Sequence, residues 1–194
     1  MSNRFVEYVR DKAYEHRARW THRRLVPYIQ RREHVLDIGA GDCRLDLLLK
    51  ERSRCKVVSL DVEDYNKTEL PLTLFDGKRI PFEDGSFDVV LLIFVLHHTQ
   101  DPAEILKEAR RVSRRRVIVF EDLNKNFGDR LVFRGFHKWL AWSEKIPFPY
   151  HVWSPDRWSE LATGLGFSEY FKGVIGRQLG WLGARHVAFV WDKA

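Results

Sequence analysis

Cysteine is almost missing from this chain: 194 residues carry only Cys43 and Cys55. Two thiols are too few for a disulfide framework and lack the paired spacing of a zinc site, so cysteine implies no metal. Long apolar runs are missing too, since no stretch reaches the eighteen residues that would suggest a membrane span. The opening MSNRFVEYVRDKAYEHRARW is too charged for the apolar centre of a secretory signal, so export is not indicated and a cytoplasmic location is expected. Internal repeats and low-complexity linkers are absent, which leaves one domain as the working assumption.

What is present is an ordinary soluble composition, 44% hydrophobic and 31% charged, with an excess of positive charge. The formal charge of +6 inclines the protein toward acidic partners such as nucleic acid, an anionic lipid surface or a negatively charged substrate. The excess sits before residue 35, where nine Arg and Lys face four acids, and again in RRVSRRR from Arg110 to Arg116. Taken singly, these clusters read as a solvated helix face and a charged turn.

Period and punctuation give the order of elements. A mostly helical segment is expected over about residues 3–31, bent near Pro27 because proline removes a helix hydrogen bond. Val35–Ile38 and Val57–Leu60 are short apolar runs of the kind buried on both faces of a sheet, separated by the helical pattern Arg44–Glu51. Val89–Phe94 is the next strand. A helix then opens at DPAE, with Asp101 as cap, Pro102 in the first turn and Glu104 completing a capping box. Val117–Phe120 follows as another strand, so the first two-thirds of the chain reads β-α-β-(loop)-β-α-β. That order indicates a doubly wound α/β sheet, mostly parallel, with helices on both faces.

Beyond Glu121 the character changes, because nine aromatics lie between Phe127 and Trp158 around Pro147 and Pro149. This reads as an inserted cover. A helix opens at SPDRW, with Ser154 as cap, and stops at Gly164 or Gly166. Ser168–Ile175 and His186–Trp191 read as two closing strands, joined by a Gly-rich turn into an edge hairpin.

The turn after the first strand, VLDIGAGDCRLDLLL, carries the chemistry. A dinucleotide site would want G-x-G-x-x-G, but the third position holds Arg44. Asp61 ends the second strand twenty residues after Gly41, where a carboxylate can accept two ribose hydroxyls. The pairing indicates a nucleoside ligand rather than a pyrophosphate.

Four stretches in order, VLDIGAGDCR, VVSLDV, LFDGKRIPFEDGSFDVVLLIFVLHHTQDP and EILKEARRVSRRRVIVFED, resemble the successive motifs of the class I S-adenosylmethionine-dependent methyltransferases, in the small-molecule branch similar to the ubiquinone and sterol enzymes. The likeness covers about residues 35–122. It implies a Rossmann-like, seven-stranded, mostly parallel sheet with an antiparallel edge hairpin. It also implies S-adenosyl-L-methionine as cofactor and S-adenosyl-L-homocysteine as product. By the same resemblance Asp37, Gly39, Ala40 and Gly41 surround the methionine part, Asp61 holds the ribose with Val62 beside it, Asp76 with Gly77 meets the adenine, and Phe94 lines the methyl-donor cleft. A sulfonium, an ammonium, a diol and an amine are better served by carboxylates and carbonyls than by a phosphate-binding nest. The chain departs from the family at Cys43, where a third glycine is usual, and at Ser113–Arg116, where PGG is usual.

The expected organisation is a single domain over 1–194: a helical cap (1–34), a cofactor core (35–122), an aromatic lid insert (123–153) and a closing helix with edge hairpin (154–194). Methyl transfer needs alignment and exclusion of water, and a general base only if the acceptor must lose a proton. His97, His98, His151, Glu121 and Asp122 are the candidates, although the resemblance gives the LHH pair a mainly structural meaning. His151, His98 and Glu121 are the catalytic residues carried forward. In DRLVFRGFHKWLAW, Leu131, Val132, Phe136, Trp139 and Leu140 share one helical stripe beside Arg130, Arg134 and Lys138. The stripe suits core packing, a wall for a flat apolar acceptor, or an interfacial helix. The expected partner is therefore a small, apolar acceptor, with peripheral contact to a membrane or anionic surface through basic residues. FVLH stands where the family's amino-group methylases of nucleic acid carry an NPPY-like tetrapeptide, which disfavours methylation of base nitrogens. The alternatives are an RNA or protein methyltransferase using the basic surface and a non-catalytic binding module of the same fold.

Overall fold

The computed structural model describes residues 2–123, 131, 138, 151, 153–177 and 185–193. In chain order the elements are α1 (Ser2–Leu25), β1 (His34–Ile38), α2 (Arg44–Arg52), β2 (Lys56–Asp61), β3 (Leu72–Leu74), β4 (Phe87–Ile93), α3 (Pro102–Val112), β5 (Ser113–Asp122), α4 (Pro155–Gly164), β6 (Phe167–Arg177) and β7 (Arg185–Lys193). Short 3-10 turns occupy Val26–Tyr28 and Leu96–His98.

The strands form one seven-stranded sheet in the order β3-β2-β1-β4-β5-β7-β6. β1 to β5 pair in parallel, whereas β7 runs antiparallel to both β5 and β6. This is the Rossmann-like, doubly wound architecture expected from the sequence, with β6 at its outer edge. The central strands are apolar along their length because both faces are covered: Val35, Leu36 and Val89 to Leu92 are fully buried. On one face, α3 presents Ile105, Leu106, Ala109 and Val112 at helical spacing, and α4 adds Trp158 and Ala162. The other face is closed by α1 and α2, through Trp20, Leu25, Leu45 and Leu49.

Local signals account for the helix ends. Asp101 accepts hydrogen bonds from the backbone N–H groups of Ala103 (2.9 Å) and Glu104 (3.2 Å), and Ser154 accepts from Arg157 (3.4 Å). The reciprocal half of the expected capping box is not made, because the Glu104 carboxylate turns to Lys107 at 2.6 Å. The first helix ends at Leu25, six residues short of the expected limit at 31, with Pro27 inside the 3-10 turn.

Two other readings are corrected. Leu72–Leu74 is a strand, not a loop. RRVSRRR is not a turn: α3 runs directly into β5 with Ser113 as the junction, and Arg114 to Arg116 are strand residues. Their cations are accommodated by carboxylates brought from elsewhere, Arg114 by Asp88 (3.2 Å), Arg115 by Glu33 and Arg116 by Asp192 (2.6 Å). The Gly-rich turn of the hairpin and most of the aromatic insert lie outside the described residues. Of the amphipathic stripe only Leu131 is described, and it is exposed.

Candidate functional site

In this sheet the strand order reverses between β1 and β4, and ligands of doubly wound folds bind beyond the carboxyl ends of the strands at that reversal. The segments that follow β1, β2 and β4 converge there. Gly39 and Ala40 follow β1 and donate their N–H groups to the Leu60 carbonyl of β2 at 2.8 and 3.1 Å, which fixes the turn to the sheet.

The two glycines answer different constraints. Gly39 has φ +74°, and a Cβ there would stand 2.4 Å from Val95 Cγ2, so the chain after β4 already occupies that space. Gly41 has φ +55°, but a Cβ there would meet nothing within 4 Å. Its missing side chain opens onto the crevice. Cys43, where the family places a third glycine, also sits in the left-handed region (φ 59°) as the residue before α2, and it is fully buried. Burial pushes its thiol up to about 12.

Asp61 ties the turn to the end of β2. Its Oδ2 accepts from the Gly41 N–H at 2.8 Å and its Oδ1 from the Val62 N–H at 2.7 Å. A carboxylate has about four lone-pair positions, so two remain for a vicinal diol. Burial raises its pKa and these backbone bonds oppose the rise. Val62 beside it is exposed, an apolar surface with no protein cover. Gly77 (φ +74°) faces Val62, whose Cγ1 would lie 3.2 Å from a Cβ at that position. Asp76 uses Oδ1 to accept from the Lys78 and Arg79 N–H groups at 2.9 and 3.0 Å, bonds that lower its pKa and leave Oδ2 toward solvent.

Beneath the turn, Asp37 of β1 and Asp46 of α2 lie side by side in the interior, with Ser59 Oγ donating to Asp46. Asp37 Oδ1 and Asp46 Oδ1 have no hydrogen-bond partner among the described residues. Burial, then the mutual repulsion of the pair, raises the pKa of Asp37 well above the usual range.

On the far side of the crevice, β5 ends in two acids that face opposite sides of the sheet. Glu121 binds His97 through Nδ1 and accepts from the His97 N–H at 3.4 Å. Burial opposes a charged His97, but the Glu121 carboxylate outweighs it and the pKa is raised. Asp122 lies 2.8 Å from His186 Nδ1. The His186 ring packs edge-on against Phe94 (4.9 Å) and Trp20 (5.3 Å), and the Arg17 guanidinium lies 4.8 Å from the Phe94 ring. Phe94 itself has φ 61°, an unusual conformation for a bulky side chain and one that recurs at binding sites.

The cofactor-side residues named from the sequence thus meet at one end of the sheet, while the catalytic candidates divide. Glu121 joins His97, and His98 stacks on His97 at 4.2 Å. His151 donates its N–H to the His97 carbonyl (3.2 Å), with its Nε2 3.2 Å from the Gln100 carbonyl and its ring on Trp153. Sequence reasoning missed Arg17, Asp46 and His186. Asp46 was in reach, one turn into α2 and opposite a strand acid, and His186 could have been reached by pairing the last strand with β5.

A doubly wound sheet with a glycine turn at the strand reversal, and with an acid at the end of β2 holding that turn, defines a nucleoside-binding α/β domain. Comparison narrows the class. Residues 36–120 match the methyltransferase domain family. Over 97 residues the chain is 34% identical to the ubiquinone/menaquinone biosynthesis C-methyltransferase UbiE of Rickettsia massiliae, a match covering 41% of this chain and 39% of that protein. The chain therefore matches about two fifths of the length of this curated relative. Among solved structures, a SAM-dependent methyltransferase of Thermotoga maritima, described as a possible histamine N-methyltransferase, superposes with a TM-score of 0.71 at 18% identity, covering 98% and 97% of the two chains. A chain from the complex of the Haloferax volcanii Trm112 methyltransferase activator with a methyltransferase gives 0.69 at 18%, covering 95% and 93%. Over residues 36–120 the chain is thus similar to the methyltransferase domain, and its fold is the one it shares with these SAM-dependent methyltransferases.

Proposed function

We propose that the protein transfers a methyl group from S-adenosylmethionine to a small, largely apolar acceptor. The observation that carries the reading is Asp61, whose two oxygens are already oriented by the Gly41 and Val62 N–H groups, beside a glycine that opens onto empty space. When bound, the cofactor supplies an electrophilic methyl group. Asp61 holds the ribose diol, Val62 gives the flat base an apolar face, Asp76 Oδ2 takes its amine, and the Gly39–Gly41 turn lies along the methionine part next to the buried Asp37. Phe94 and Trp20 exclude water from the acceptor side, which favours an in-line displacement. In this reading residues 35–122 bind the cofactor, and α1 with the aromatic insert covers the acceptor.

The smallness of the acceptor is supported by the name of the Rickettsia relative, a C-methyltransferase of ubiquinone and menaquinone biosynthesis. Two N-terminal cations face inward, Arg17 onto Phe94 and Arg24 onto Trp20 at 3.8 Å, so α1 offers fewer cations to nucleic acid than its sequence carries. The remaining surface cations suit peripheral contact with an anionic membrane, at about 1 kcal/mol each. Calorimetric titration with S-adenosylhomocysteine, with NAD as control, tests the reading. Affinity on the order of micromolar for the former and none for the latter is the expected result. Absence of both would leave a non-catalytic binding module.

A further inference from the structure

Arg44, Arg111, Arg115 and Arg116 each meet a carboxylate, and Arg24 donates to the Ile175 carbonyl at 2.6 Å. Arg17 is half-buried on α1, yet among the described residues it makes neither kind of bond. Its guanidinium lies 4.8 Å from the Phe94 ring, a contact that offsets part of the cost of leaving water but occupies few of its five N–H donors.

Three neighbours locate that guanidinium. Phe94 directly follows β4. The charge of Arg17 also reaches Asp37 of β1, where it works against the rise that burial and Asp46 impose. It reaches His97 in the turn after β4, where it adds to burial in opposing the charged ring. β1 and β4 are adjacent at the strand reversal, so the unpaired cation stands over the crevice. α1 is fixed there from both flanks. On one, Asp11 pairs with Arg44 at the start of α2 and His22 Nε2 lies 3.0 Å from Ser53 Oγ; on the other, Arg24 reaches β6.

We propose that Arg17 binds the α-carboxylate at the methionine end of the cofactor, which makes α1 part of the cofactor site. The inference rests on the methyl-transfer reading above. Arg17 precedes residues 36–120, the segment matched to the methyltransferase domain, so that match assigns it nothing. S-adenosylmethionine brings two cations to the crevice, its sulfonium and its ammonium, and a fixed arginine would repel both. Its single anion is the carboxylate, whose two coplanar oxygens match the guanidinium fork. Pairing them removes the repulsion and satisfies donors that the protein leaves open. Asp37, with Oδ1 unbonded among the described residues, lies in the field of the same arginine and suits the ammonium. Methyl transfer leaves the carboxylate untouched, so Arg17 grips the cofactor equally before and after the reaction.

Calorimetric titration of the full chain with two ligands tests this. One is S-adenosylhomocysteine; the other is S-adenosyl-3-thiopropylamine, which keeps the ammonium and lacks only the carboxylate. The native protein should bind the first at least about tenfold more tightly. Arg17→Met should abolish that preference by weakening S-adenosylhomocysteine alone, and Arg17→Lys, which keeps the charge and loses the fork, should fall between. A native protein that binds both ligands equally overturns the proposal without recourse to any variant. An Arg17→Met protein that keeps the native preference also overturns it, and gives the arginine to an anion of the acceptor. One that loses both ligands alike overturns it too, and makes the arginine a structural support of α1. Failure of the native protein to bind S-adenosylhomocysteine at all would instead sink the methyl-transfer reading on which the proposal stands.

Discussion

At the scale of single residues, Asp61 holds the Gly41 turn and, in the proposed function, the ribose diol, and one substitution removes both. Asp61→Ala removes the acceptor for the Gly41 and Val62 N–H groups and the partner of the diol together, so S-adenosylhomocysteine affinity should fall at least tenfold in calorimetry. Unchanged affinity would remove the residue from the ribose site. The paired glycines make a sharper comparison. Gly39→Ala forces a Cβ onto Val95 and should cost about 2–3 kcal/mol, read as a drop of several degrees in Tm. Gly41→Ala has room and bears only the left-handed strain of about 1–2 kcal/mol, so its main effect should be on ligand affinity. If both variants lost stability and affinity alike, the two constraints would not be distinct.

At the scale of elements, much was legible because the code is local. Asp101-Pro102 and Ser154-Pro155 place their helix starts by short-range hydrogen bonds, and the caps form where they were read. Asp101→Ala orphans two N–H groups and should destabilise by about 1 kcal/mol in thermal or urea unfolding, without altering cofactor affinity. β3 was not legible, since three residues with only Leu72 half-buried carry neither a run nor an alternation. Arg114 to Arg116 misled for the opposite reason: a strand tolerates consecutive cations only if carboxylates arrive from distant parts of the chain, and Asp88, Glu33 and Asp192 do. The clustering of Gly39, Gly41, Asp61 and Gly77 at one end of the sheet was readable because they lie at the ends of consecutive strands. Arg17 was not, since its meeting with Phe94 is a product of tertiary folding, and His186 needed the antiparallel pairing of β7 with β5 to be placed.

For the whole molecule, the buried Asp37–Asp46 pair couples stability to pH. Its protons are held in the folded chain at pH values where an unfolded carboxyl, near 3.9, has lost them. The folded state then binds more protons than the unfolded one, and stability falls as pH rises, by about 1.4 kcal/mol per pH unit for each proton withheld. Calorimetric Tm should therefore decline from pH 5 through the raised folded values, and Asp46→Asn, which keeps a donor toward Asp37 without a second charge, should flatten the decline. A native Tm independent of pH over that range would show that the pair is already ionised.

The order of the sheet has a further consequence for how the protein is born. β7 lies between β5 and β6, yet it follows both in the chain. A growing polypeptide that has released β6 has no neighbour for it, and the acid at Asp122 waits for a histidine 64 positions downstream (186 − 122). During translation β1 to β5 can pair as they emerge, whereas β6 stays without a partner until β7 follows it and enters the sheet between β5 and β6.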